Sequence, residues 1–205
     1  MKKNLTELVF IIDRSGSMCG LENDTIGGFN AMLKEQQTIE GDAVVTTVLF
    51  DDEYELLHDR INIQGVAPLT NKDYTVRGST ALLDAVGRTI NKIHEVQLNT
   101  IEDYRADKVM FVIITDGEEN ASCEYSIDKI RALIKRQTKE YGWEFIFLGA
   151  NMDAVSEAGK LGISADFASN YQATPYGTSD AFMAISAASS AFRTDKSMKN
   201  WSNKL

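Results

Sequence analysis

LVFIIDRSGS, residues 8–17, decides how the rest of the chain is read. Five consecutive apolar residues, Leu8 to Ile12, are too few for a buried helix and show no polar alternation, which is how a strand covered on both faces looks. The run stops abruptly at Asp13, and Ser15 and Ser17 follow with Arg14 and Gly16 between them. A strand that ends in a polar, glycine-containing loop suits the carboxyl edge of a parallel sheet, where such folds place their ligands.

Two more runs repeat the pattern, VMFVII at 109–114 and FIFL at 145–148. VVTTVLF at 44–50, the turn-like Asp51, Asp52 and Glu53, and YELLHDRINI at 54–63 predict a hairpin. Its second arm carries His58, Asp59, Arg60 and Asn62, as a solvated antiparallel edge strand would. Helical stripes recur at Ile26, Phe29 and Leu33, at Leu82, Leu83, Val86, Ile90 and Ile93, and at Ile127, Ile130, Leu133 and Ile134. Gly78 and Ser79 read as the start signal of the second helix, and Ser126 with Asp128 as that of the third. Residues 150–163 suggest a further helix, 165–169 a last short strand and 179–194 a closing helix. Strands alternating with helices predict an α/β, three-layer, doubly wound Rossmann-like fold, with a mostly parallel six-stranded sheet and one antiparallel edge strand. We expect a single domain over 1–205, with its core at about 5–195 and a weakly structured tail at about 196–205 in which only Trp201 is apolar enough to pack.

Composition narrows the function. The net charge of -9 disfavours a nucleic-acid binder, which needs a basic face. No run approaches the roughly 18 apolar residues of a membrane span. The N-terminal MKKNLTELVFII lacks the features of a signal peptide. A cytoplasmic location is expected, and the two cysteines, Cys19 and Cys123, suit a reducing compartment. They fall in rim loops 104 residues apart in sequence; a redox bridge between them is the lesser reading, two free thiols the greater.

Three polar clusters lie at strand or helix ends on one rim: Asp13, Ser15 and Ser17; Gly78, Ser79 and Thr80; and Thr115, Asp116 and Gly117. Together they supply two carboxylates and at least three hydroxyls. Hard oxygen donors without histidine or thiolate suit Mg2+ or Mn2+ and argue against zinc. The loop motif alone would pass for an ordinary turn, and Thr80 for a helix cap. Glu118, Glu119 and Glu124 read as a solvated acidic loop rather than a second metal site. His58 and His94 read as surface residues.

DRSGS at 13–17, GSTALLDAV with Thr80 and ITDGEEN with Asp116 resemble the metal-ion-dependent adhesion site (MIDAS) of von Willebrand factor A (VWA) domains. The resemblance covers about residues 5–195 and is strongest to stand-alone bacterial members of the TerY and YegL type. It implies that Ser15, Ser17 and Thr80 are direct hydroxyl ligands and that Asp13 and Asp116 act mostly through water. Arg14, Met18, Ser79, Gly117 and Glu118 would form a partner-contacting rim. An ion held by neutral hydroxyls keeps its charge and seeks an anion, so a Glu or Asp of a partner protein would complete its shell, drawn also by the amino end of the helix starting at Thr80. The expected activity is metal-bridged protein recognition by a monomer, with stress-response, kinase or phosphatase, or AAA-type ATPase systems as the implied setting. A metal-dependent hydrolase is the rival, but phosphate-cradling, nucleophile-elbow and HExxH motifs are all lacking. A structural domain whose metal pins its loops is the third reading.

Overall fold

A computed structural model describes residues 5–203 and 205. The sheet is built from β1 (Thr6–Asp13), β2 (Ala43–Phe50), β3 (Tyr54–Asn62), β4 (Lys108–Thr115), β5 (Glu144–Gly149) and β6 (Ala168–Asn170). Its strand order is β3-β2-β1-β4-β5-β6. All neighbours are parallel except β2 and β3, the antiparallel pair at one edge.

Alternating side chains of the central strands divide the core in two. Leu8, Phe10 and Ile12 of β1 and Met110, Val112 and Ile114 of β4 face α1 (Glu22–Gln36) and α5 (Pro175–Arg193). Val9, Ile11, Val109, Phe111 and Ile113 face α2 (Leu82–Asn99), α3 (Ile127–Tyr141) and α4 (Ala154–Leu161). Covered on both faces, these strands need no polar alternation, and the continuous apolar runs of the sequence follow from that.

Several element ends differ from expectation for local reasons. The closing helix begins at Pro175, not 179, because the Thr174 side chain accepts from Gly177 N and proline stands in the first turn, a strong start signal. The last strand is Ala168–Asn170, and residues 165–167 form a 3-10 turn. Ser126 caps α3 as expected, accepting from Lys129 N. Ala81, the residue before α2, offers no side-chain cap, and neither Ser79 nor Thr80 supplies one.

His58 is a correction: it lies on the edge strand yet is 5% exposed. The chain after β3 folds back over that face, and His58 stacks on Phe29 and bonds Thr47 Oγ1 at 3.0 Å. The tail also packs more than expected. Met198, Trp201 and Leu205 join the α1/α5 core, and Trp201 Nε1 donates to Asp166 O at 2.8 Å. Among the described residues no helix is long and apolar enough to cross a membrane.

Candidate metal site

The sheet's connections run in opposite senses on either side of β1 and β4, and the crevice beyond their carboxyl ends is the switch point where doubly wound folds bind ligands. Asp13 ends β1, and Asp116 follows the last residue of β4. Ser15 N donates to Asp13 Oδ1 at 2.7 Å and Thr115 Oγ1 to Asp13 Oδ2 at 2.5 Å. Both oxygens of Asp13 are thus held, and the carboxylate bridges the two strand ends. Tyr74 OH anchors the same residue by donating to its carbonyl at 2.5 Å.

Three hydroxyls converge in front of this carboxylate. Ser15 Oγ and Ser17 Oγ lie 3.0 Å apart, and Ser17 Oγ donates to Asp116 Oδ1 at 2.5 Å. Thr80 enters from the segment before α2; its N–H donates to Asn120 Oδ1 at 3.0 Å, leaving the hydroxyl turned to the site. Gly117 measures the convergence. A Cβ there would stand 3.0 Å from both Ser17 Oγ and Thr80 Oγ1 and 3.8 Å from Ser15 Oγ, so a side chain would crowd the space the hydroxyls share. Ser17 is exposed, and Asp13, Ser15, Thr80 and Asp116 are buried, which leaves the cluster open on one side.

The electrostatics lack a positive charge. Burial pushes the Asp13 carboxyl up to about 6, against its hydrogen bonds from Thr115 and Ser15. Burial also raises Asp116, and its Oδ2 is buried with no hydrogen-bond partner. Buried polar atoms are ordinarily paired, so an orphaned carboxylate oxygen beside three converging hydroxyls fits a cation. Among the described residues no group of three or more His, Cys, Asp or Glu side chains could hold a metal, so a cation here would rely on the hydroxyls.

Two expected rim residues lie elsewhere. Arg14 is 3% exposed, because in the extended chain its side chain points away from those of Asp13 and Ser15, and its Nε donates to Asp51 Oδ2 at 3.0 Å. Met18 is 1% exposed and belongs to the core. Ser79 and Glu118 are exposed and Gly117 is half-buried. Gly78, before Thr80, has a left-handed backbone with φ 67°, and a Cβ on it would meet Asp52 Oδ1 at 1.8 Å.

The acidic loop is a second correction. Glu119 is not simply solvated: its carboxylate accepts from Leu83 N, Ala121 N and Ser122 N at 2.9, 3.0 and 2.7 Å. Asp84 reaches back and accepts from Cys123 N, Glu124 N and Tyr125 N, each at 2.9 Å. These braces use the amino end of α2, since Leu83 N goes to Glu119 and Asp84 N to Ser122 Oγ. The helix end therefore does not offer those amides to a partner's anion. Cys19 and Cys123 are both exposed and free.

No protein-family model and no curated protein sequence matches the chain. Solved structures do. Proximal thread matrix protein 1 from the mussel byssus, solved with zinc in its MIDAS motif, matches at 14% identity with a TM-score of 0.61, over 90% of this chain and 46% of its own. A von Willebrand factor type A protein from Catenulispora acidiphila matches at 15% identity and 0.59, over 91% of this chain and 43% of its own. The chain has a von Willebrand factor A-like fold. The VWA2 paralog of ArnB from Sulfolobus acidocaldarius shares it at 16% identity and a TM-score of 0.53, over 93% of this chain and 45% of its own. The chain thus spans under half the length of these VWA structures, and at such identities the likeness is one of fold.

Proposed function

We propose that Asp13, Ser15, Ser17, Thr80 and Asp116 hold one divalent cation, Mg2+ or Mn2+, through which the domain captures an acidic side chain of a partner protein. The observation that carries this reading is the orphaned Asp116 Oδ2 beside a cluster whose hydroxyls crowd the space at Gly117. Zinc in the MIDAS motif of the mussel protein supports a divalent ion in a fold of this kind. Bound there, the ion would supply a positive centre with an exchangeable position.

The chain's own residues do the rest. Ser15, Ser17 and Thr80 are neutral donors, so they leave the ion's charge largely uncancelled. Asp13, with both oxygens committed to Ser15 and Thr115, shapes the loop and balances charge from behind. Ser79, Gly117 and Glu118 frame the mouth, and the acidic Glu118 favours a partner offering one carboxylate in otherwise neutral or basic surroundings. We read the domain as a binding module rather than an enzyme. His58 is bonded to Thr47, and His94 packs on Tyr141 with ring centroids 5.0 Å apart, so neither serves the cluster as a base.

The test is capture by the immobilised protein from an extract of its native host in Mg2+, eluted with EDTA, beside Asp13→Ala and Thr80→Ala. A protein released by EDTA and not retained by either variant is the expected outcome. Retention indifferent to EDTA and to both substitutions would sink the proposal. Calorimetric titration with Mg2+, Mn2+ and Zn2+ ranks the ions.

A further inference from the structure

Asp51 lies outside the cluster, at the end of β2, and is wholly buried. Every polar group it owns is engaged with one of the loops that carry the proposed ligands or with its own turn. Its Oδ2 accepts from Arg14 Nε at 3.0 Å and from Arg77 Nε at 2.7 Å. Its Oδ1 accepts from Glu53 N at 2.6 Å. Its main-chain carbonyl accepts from Ala81 N at 2.8 Å, and its N–H donates to Glu53 O at 3.1 Å.

The placement of these partners matters more than their number. Arg14 stands between Asp13 and Ser15. Arg77 and Ala81 bracket Thr80, three residues before it and one after. The two loops are laced to each other as well: Arg77 N donates to Arg14 O at 2.9 Å and Gly16 N to Gly78 O at 3.1 Å. Ser15 and Thr80 come from segments 65 residues apart in sequence, and no direct hydrogen bond joins their side chains among those described. Thr80's own N–H and carbonyl are held from the other side by Asn120 and Ala121, so this buried carboxylate and the loop lacing are what tie Thr80 to the Ser15 loop.

We infer that Asp51 is a positioning residue, with Arg77 as its outer arm, fixing Thr80 against the Asp13–Ser17 loop so that the hydroxyl cluster is formed before any ion arrives. The inference rests on the metal-binding reading above. Arg77 is the better probe because it is half-exposed, whereas replacing Asp51 would strand the buried Arg14 guanidinium. Preorganised ligands bind more tightly because the ordering is already done.

The experiment combines calorimetric Mn2+ titration with amide hydrogen exchange in EDTA, on wild type, Arg77→Ala and Arg77→Lys. Arg77→Ala is expected to weaken Mn2+ binding by about 10-fold, the lower end of what lost outer-shell support costs. The midpoint of thermal unfolding in EDTA should move little. In the same metal-free samples, exchange at Ala81 and Gly16 should quicken at least about tenfold, the mark of local opening. Arg77→Lys, which keeps a cation in reach of Asp51, should recover part of both effects. Unchanged exchange at those two amides in Arg77→Ala overturns the inference whatever the metal data show. Wild-type Mn2+ affinity in Arg77→Ala also overturns it and leaves the metal-binding reading standing. Wild type that takes up no divalent ion refutes that reading instead, and the inference with it.

Discussion

Two acidic regions share the rim of this sheet, and they treat their carboxylates in opposite ways. Around Glu119 and Asp84, each carboxylate meets several N–H groups, and the charge is spent on joining α2 to the loop of residues 118–125. Around Asp13 and Asp116 the donors are fewer, burial raises both carboxyls, and Asp116 Oδ2 meets nothing. A carboxylate satisfied by its own chain is architecture. One left partly unsatisfied in a buried place costs stability and persists where something else completes it.

The largest expected effect breaks this contrast at its starved end. Asp116→Ala should weaken Mn2+ binding by about 100-fold or more, the upper end of what losing a ligand's support costs. In EDTA its stability should equal or exceed that of wild type, because a buried, incompletely paired carboxylate is removed. Calorimetric titration and urea unfolding of the same samples check both halves. A large loss of stability in EDTA would place Asp116 with the braces instead.

Asp84→Ala should do the reverse. Three backbone N–H groups lose their acceptor at once, and unfolding free energy should fall by about 2–4 kcal/mol, with or without Mg2+. The two regions should also answer pH with opposite sign. Burial works against ionisation of Asp84, but hydrogen bonds from Cys123, Tyr125 and Glu124 outweigh it and hold the carboxyl below its ordinary value. Its contribution is present above the unfolded value of 3.8 and lost as pH falls through the folded one. Asp13 is raised to about 6, so in metal-free protein its contribution is full below 3.8 and lost as pH rises towards and through 6. Urea unfolding in EDTA from pH 3 to 8 should show that second loss in wild type and its absence in Asp13→Asn.

Much of the fold and of the cluster could be read from the chain, and most of what could not shares a cause. The buried strands announced themselves because covering both faces leaves a continuous apolar signature. The three polar clusters were legible because each follows a strand or precedes a helix on one rim. Arg14 was misplaced although alternation along an extended segment already turns it away from Asp13 and Ser15. Met18 and His58 were misplaced because tertiary packing covers them, as Phe29 of α1 stacks on His58, and local pattern carries no trace of such a cover. Glu119 and Asp84 each accept from backbone N–H groups of a segment distant in sequence, and a glutamate in a loop reads alike whether it faces water or a helix's amide groups.

The smallest expected effect asks how far bracing extends within the acidic loop itself. Glu124 sits one residue from Cys123 and pairs with Arg88, yet both side chains are about half exposed, 52% and 41%. An ion pair in that setting gains little over hydration and is screened by salt, so Glu124→Gln should leave the unfolding midpoint close to that of wild type. Its backbone N–H would still donate to Asp84 Oδ1, at 2.9 Å in the native chain, and that bond rather than the side chain ties residue 124 to α2. Mn2+ affinity should stay within about twofold, since the Glu124 carboxylate contacts none of the five cluster residues and acts only through the screened field. Thermal unfolding at low and at 0.5 M salt is the measurement. A loss as large as that of Asp84→Ala would mean that charge, not the donated amides, holds this loop to the helix.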